Sequence, residues 1–124
     1  MNLTIYMTTR KKYKVIGIMS GTSMDGLDCS YLETDGKKFV KIISEKSYKY
    51  SFNYKNKLNN LAKINKKNYK NQSKNLDDFV TSTFIKNIEK FIKDFKIKKQ
   101  FVDFVGVSGQ TILHDPKNKI SIQL

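Results

Sequence analysis

Residues Ile18 to Asp28 read Ile-Met-Ser-Gly-Thr-Ser-Met-Asp-Gly-Leu-Asp, a small-residue loop with an embedded carboxylate caught between two apolar runs of strand character. A chain that leaves one apolar strand through such a loop and enters another must reverse on itself, so the loop is the tip of a hairpin. Gly21 and Gly26 let the backbone turn tightly and come close to a ligand. Thr22 and Ser23 add hydroxyl donors, and Asp25 is a carboxylate of the kind that holds magnesium. These parts suit a polyphosphate. They also suit a plain turn, because Gly, Ser and Asp dominate turns for backbone reasons unrelated to ligands.

The glycine spacing invites comparison with the P-loop, but Leu27 and Asp28 stand where Gly-x-x-x-x-Gly-Lys-[Ser/Thr] needs its Lys and hydroxyl. The segment Leu27 to Glu33 reads as a second strand and not as the opening of a helix.

The 124 residues amount to one domain, and 39% hydrophobic residues with eight Phe and seven Tyr provide for a core. The net charge of +13 points at first to a small basic nucleic-acid-binding module, which stands as the alternative reading. Against it, Arg10 is the only arginine, and the lysines are scattered along the whole chain. Base readout and phosphate clamping favour the planar fork of arginine, whereas scattered lysine is the mark of a solvated surface. Cys29 is the only cysteine, which excludes an intrachain disulfide and fits a buried thiol in a reducing compartment. The apolar stretch after Arg10 is too short for a signal peptide core and no run reaches membrane-span length, so the expectation is a soluble, cytoplasmic protein.

Along the chain, residues 1–12 form a polar, basic lead-in. Tyr13 to Ser20 is a nearly continuous apolar run, as in a strand covered on both faces. Lys38 to Tyr50 makes a third strand with Val40, Ile42 and Tyr48 on one parity, and Asp35-Gly36 supplies the second hairpin turn. Residues 51–75, rich in Asn and Lys, read as a solvated connector whose apolar periodicity, limited to Leu58, Leu61 and Ile64, allows a short, weak helix. From Leu76 to Phe95, apolar residues form one helical stripe with Asn75 as N-cap and Lys96, Lys98 and Lys99 at the negative end of the dipole. Phe101 to Val107 reads as a buried strand leading into a second polar loop, Ser108-Gly109-Gln110-Thr111, and on to His114-Asp115-Pro116, where the lone histidine reads as structural. The alternation that starts at Ile120 stops at Leu124, and the expectation is an incomplete amino-terminal lobe over 13–124.

The two loops in this order resemble anhydro-N-acetylmuramic acid kinase, whose amino-terminal part carries Gly-x-Met-Ser-Gly-Thr-Ser-Met-Asp-Gly and later His-Gly-Gln-Thr followed by His-x-Pro. The resemblance covers Val15 to Asp35 and Phe101 to Leu124 well and the intervening helix loosely. It implies an α/β fold, the partial amino-terminal lobe of the sugar kinase, Hsp70 and actin-like (ribonuclease H-like) fold, with a β-β-β-α-β opening. It further implies that Gly21, Thr22, Ser23, Met24, Asp25, Gly26, Leu27 and Asp28 line the phosphates of ATP, with Asp25 near Mg²⁺. Ser108, Gly109, Gln110 and Thr111 would face a small-molecule sugar. Ser108 stands where the family has His, which removes from that loop the stacking and near-neutral protonation of an imidazole.

The activity this implies opens the anhydro ring of 1,6-anhydro-N-acetylmuramic acid and phosphorylates O6, giving N-acetylmuramic acid 6-phosphate in peptidoglycan recycling. Such a site sets the γ-phosphate in line with the ring oxygen and activates a water against the anomeric carbon. In the family that base is an aspartate from the later half of the chain, beyond Leu124, so no catalytic residue is assigned within these residues and the chain alone is expected to be inactive. A homodimer is left open for the parent enzyme. A nucleotide-dependent scaffold of the actin or Hsp70 type would share the first loop but has no reason to carry Gly-Gln-Thr-x-x-His-x-Pro.

Overall fold

A computed structural model describes residues 11–62 and 69–124. Most of the basic lead-in and the Ile64 position lie outside the described residues. Among the described residues the elements are β1 (Tyr13–Ser20), β2 (Gly26–Thr34), β3 (Val40–Lys49), α1 (Phe52–Ala62), α2 (Tyr69–Asp94), β4 (Phe104–Asp115) and β5 (Ile120–Gln123), with a 3-10 turn at Lys99–Phe101. They build one five-stranded sheet in the order β3-β2-β1-β4-β5. The first three strands form the expected antiparallel meander, and β4 returns parallel to β1.

The hairpin register sets which face becomes the core. Ile16, Ile18 and Ser20 of β1 lie opposite Tyr31, Cys29 and Leu27 of β2, and all six are buried. The helices cover this face: Val80, Phe84 and Phe91 of α2 and Tyr54 and Leu58 of α1 join Ile16, Ile18, Leu27, Cys29 and Tyr31 in a single cluster. The α2 stripe is as its periodicity predicts, with Phe95 at its end left partly exposed. Its start is not, because the helix runs from Tyr69 and Asn75 sits inside it as an ordinary helical residue, not as an N-cap.

α2 ends in a Schellman motif, with Lys96 in the left-handed region at φ 51°. The Lys96 amide donates to the Lys93 carbonyl at 3.2 Å and the Ile97 amide to the Ile92 carbonyl at 2.9 Å, while Ile92 and Ile97 both pack on the core.

Several expectations are corrected. Among the described residues the opening carries two helical segments, β-β-β-α-α-β, because the short helix allowed within the connector forms over Phe52–Ala62 and buries Tyr54 and Leu58 in the core instead of leaving the segment solvated. β3 does not keep one parity: a bulge at Ile43 sets Ile42 opposite Leu32 but Tyr48 opposite Leu27, so Tyr48 is buried and Val40 and Ile42 are exposed. β1 and β4 are not covered on both faces: Met19 and Phe104, on the face away from the described helices, are more than half exposed, and Val105 and Val107, on the same face as Ile16 and Ile18, are half exposed as well. Among the described residues, no helix is long and apolar enough to cross a membrane.

Candidate active site

The loop between β1 and β2 is drawn into a turn in which the Met24 amide donates to the Gly21 carbonyl at 3.2 Å. Met24 sits in the left-handed region at φ 53° and points its side chain into the core. The loop therefore alternates in purpose. Met24 and Leu27 anchor it from below, while Thr22, Ser23, Asp25 and Asp28 stay at the surface.

An open cleft of about 380 Å³ lies beside the loop, lined by Gly21, Ser23, Asp25, Gly26 and Asp28, together with Ser47 and Lys49, the β3 partners of Asp28 and Gly26. Five of the eight residues expected around the phosphates thus meet at one place. Met24 and Leu27 do not present side chains to it, and Thr22 lies on the surface without lining it. Gly26 and Gly21 have different reasons to be glycine. A Cβ at Gly26 would sit 2.6 Å from the Tyr48 carbonyl oxygen, so its smallness serves the approach of β3. A Cβ at Gly21 would meet only Ser23 Oγ at 3.7 Å, so packing does not require a glycine there.

Asp25 is exposed at the rim and receives a hydrogen bond from Lys55 Nζ of α1 at 3.1 Å. That bond, a second one from Ser23 and the Lys55 charge hold its carboxyl below the usual carboxylate value. Asp28 accepts a hydrogen bond from the Ser47 hydroxyl. Among the described residues no group of three His, Cys, Asp or Glu side chains gathers to hold a metal ion. Two carboxylates beside a cleft nevertheless fit magnesium, which usually keeps several waters and takes one or two carboxylates together with phosphate oxygens.

The second motif is not a loop. Ser108 to Thr111 lies within β4, which continues through Asp115 and pairs with β5 from Thr111 onward. Ser108 is exposed, Gly109 turns at φ 77°, and Thr111 is half-buried. Gln110 is fully buried, against the expectation that it would face a sugar. Its Nε2 donates to the carbonyl of Gly21 at 3.2 Å, so the two motifs do touch, through the interior. His114 is exposed in the strand opposite Ser121.

Residues outside both motifs complete the site. Lys55, Ser47 and Lys49 flank the loop, and Tyr50 ties it down, its amide donating to the Asp25 carbonyl at 3.1 Å. Tyr50, Tyr54 and Leu58 recur at intervals of four residues, and that spacing is the sequence signal that marks α1 as part of the core.

A family profile for anhydro-N-acetylmuramic acid kinase matches residues 13–124. The chain belongs to that family. It is 34% identical over 121 residues to the anhydro-N-acetylmuramic acid kinase of Pelagibacter ubique, covering 92% of this chain and 31% of the relative. The namesakes from Bradyrhizobium diazoefficiens and Brucella canis are 30% and 27% identical over 115 and 117 residues, or 88% and 90% of this chain and again 31% of each relative. The chain thus spans about a third of the length of the curated relatives it matches, and its architecture is that of a partial amino-terminal lobe of the sugar-kinase and actin-like fold.

Proposed function

We propose that this lobe supplies the phosphate-binding half of a kinase that opens the ring of 1,6-anhydro-N-acetylmuramic acid with ATP and phosphorylates O6. The observation that carries the reading is the cleft in which Gly21, Ser23, Asp25, Gly26 and Asp28 meet with open space beside them. Two carboxylates facing that space would repel a bare triphosphate, whereas a triphosphate that arrives with magnesium meets them with the opposite sign. Asp25 and Asp28 are the residues to hold that ion, which when bound neutralises charge on the transferring phosphoryl group. Ser23 offers a hydroxyl, and Lys49, the β3 partner of Gly26, a cation at the same cleft. Ser108 and Thr111 remain as the sugar-facing members of the second motif, since the amide of Gln110 is engaged inside.

In this reading the water-activating carboxylate belongs to a part of the enzyme other than these residues, and on that assignment the 124-residue chain by itself should bind nucleotide weakly and not turn over. The test is a calorimetric titration of ATP into the 124-residue chain with and without magnesium, alongside Asp25→Asn. Magnesium-dependent binding that weakens in Asp25→Asn supports the reading. Binding that is indifferent to magnesium and to Asp25, or sugar phosphorylation by the purified chain, overturns it.

A further inference from the structure

We infer that Gln110 is a positioning residue for the Gly21–Asp25 loop, fixing its backbone from inside, and is not a ligand for the sugar. Its side-chain amide has two donor hydrogens and two acceptor lone pairs, and all four are engaged. Nε2 donates to the carbonyls of Gly21 at 3.2 Å and Thr111 at 3.1 Å. Oε1 accepts from the Ser20 hydroxyl at 2.5 Å and, more loosely, from the Tyr54 hydroxyl at 3.4 Å. Turning the amide over would set its oxygen against two carbonyl oxygens, so its neighbours dictate one orientation. A group with no free valence and no exposed surface has nothing left to offer a substrate.

The same network reaches both ends of the loop. The Gly21 carbonyl accepts from Gln110 and from the Met24 amide, and so receives its turn-closing bond and its interior bond together. At the other end, Tyr50 takes the Asp25 carbonyl with its amide and donates its hydroxyl to Ser20 Oγ at 2.8 Å. Ser20 in turn donates to Gln110. Only the middle of the loop, Thr22 and Ser23, stands clear of this frame.

The spacing of the second motif explains how a polar residue comes to face inward. Val107 pairs with Ile18 and Gln110 with Ser20, so β4 carries one residue more than β1 across this step. That extra residue, accommodated at Gly109 with its positive φ, turns Gln110 onto the buried face beside Ser20. A Cβ at Gly109 would meet the Leu124 carbonyl oxygen at 2.8 Å, so the bulge and the glycine go together.

The consequence for ligand binding rests on the phosphate reading proposed for the cleft, whereas the consequence for the loop does not. Amide exchange by NMR on the full chain reads the second, and titration with inorganic tripolyphosphate plus magnesium reads the first. In Gln110→Met, which keeps the volume and removes the hydrogen bonds, the Met24 amide should exchange about tenfold faster while Cys29 and Tyr31 in β2 keep their protection. Tripolyphosphate affinity should fall by about the same factor. Faster loop exchange without tripolyphosphate binding in either protein upholds the positioning role and removes the phosphate reading. Unchanged Met24 exchange, or exchange accelerated equally throughout the sheet, overturns the positioning role. Should Gln110→Met not fold, the wild-type chain decides: the Gln110 Nε2 protons should exchange slowly and show cross-relaxation to Gly21, and solvent-averaged Nε2 protons overturn the inference.

Discussion

Gly26 passes so close to Tyr48 that a methyl group on its Cα would sit 2.6 Å from the Tyr48 carbonyl oxygen and 3.1 Å from its carbon. Both contacts are backbone and cannot swing aside, so Gly26→Ala must push β3 away from the loop. We expect a loss of about 1–3 kcal/mol in urea unfolding. Gly21→Ala is the informative partner. Its methyl group meets only Ser23 Oγ at 3.7 Å, so stability should stay within about 0.5 kcal/mol of wild type. Nucleotide affinity should nonetheless drop, because the added carbon occupies the wall of the cleft. Equal affinity in both proteins would separate Gly21 from the phosphate site.

Lys55 reaches across from α1 to Asp25, and its hydrogen bond is the largest influence holding that carboxyl below the ordinary 3.8. Removing it in Lys55→Met should move the Asp25 titration midpoint upward, as followed by the carboxyl carbon shift. Asp94 is held down in the same direction by Lys46 and Tyr48. Because the folded values lie below the unfolded ones, both pairs contribute stability above about pH 4 and lose it as the pH falls through the folded values. Acid unfolding of the double variant Lys46→Met/Lys55→Met should therefore be less steep below about pH 4 than that of wild type.

Local chemistry made some of this fold legible and tertiary context hid the rest. The Ile18–Asp28 hairpin and the α2 stripe can be read directly, since glycine placement and a 3.6-residue period act over a few residues. α1 is harder, because Tyr50, Tyr54 and Leu58 are set among asparagines and lysines that dominate the local average. The inward turn of Gln110 depends on a bulge, and one extra residue reverses every side chain beyond it. The exposure of Met19 and Phe104 depends on which face the helices cover, which an apolar run alone does not say. For the site, the loop residues that touch the cleft are legible, whereas Lys55, Ser47 and Lys49 come from elements whose placement only the register reveals.

Lys96 adopts φ 51° at the end of α2, a conformation in which an L side chain crowds its own carbonyl. Glycine takes this position in most Schellman motifs because it has no Cβ to crowd. The side chain of Lys96 is exposed, so its removal opens no cavity. Lys96→Gly should therefore raise stability by about 0.5–1 kcal/mol, net of the greater entropy that glycine gives the unfolded chain. Thermal unfolding checks this, and a lower melting temperature would mean that Lys96 makes a stabilising contact outweighing its backbone cost.

Cys29 is buried between β1 and β3, opposite Ile18 on one side and Lys46 on the other. Burial pushes its thiol up to about 11, with the Asp28 charge adding in the same direction. At about pH 8 its thiolate fraction should be lower than that of a free cysteine by about a hundredfold, and reaction with a disulfide reagent should slow by at least that factor until urea unfolds the chain. The raised value also has a consequence for stability. Above the ordinary value of 9.0 the unfolded chain releases the thiol proton while the folded chain keeps it, so stability falls as the pH rises from about 9 toward 11. Tyr50 and Tyr54, both raised chiefly by burial, add to the same alkaline loss. Cys29→Ala removes only the thiol's share, and its unfolding free energy should therefore decline less between about pH 9 and 11 than that of wild type. An identical decline in the two proteins would assign the alkaline loss to the tyrosines alone.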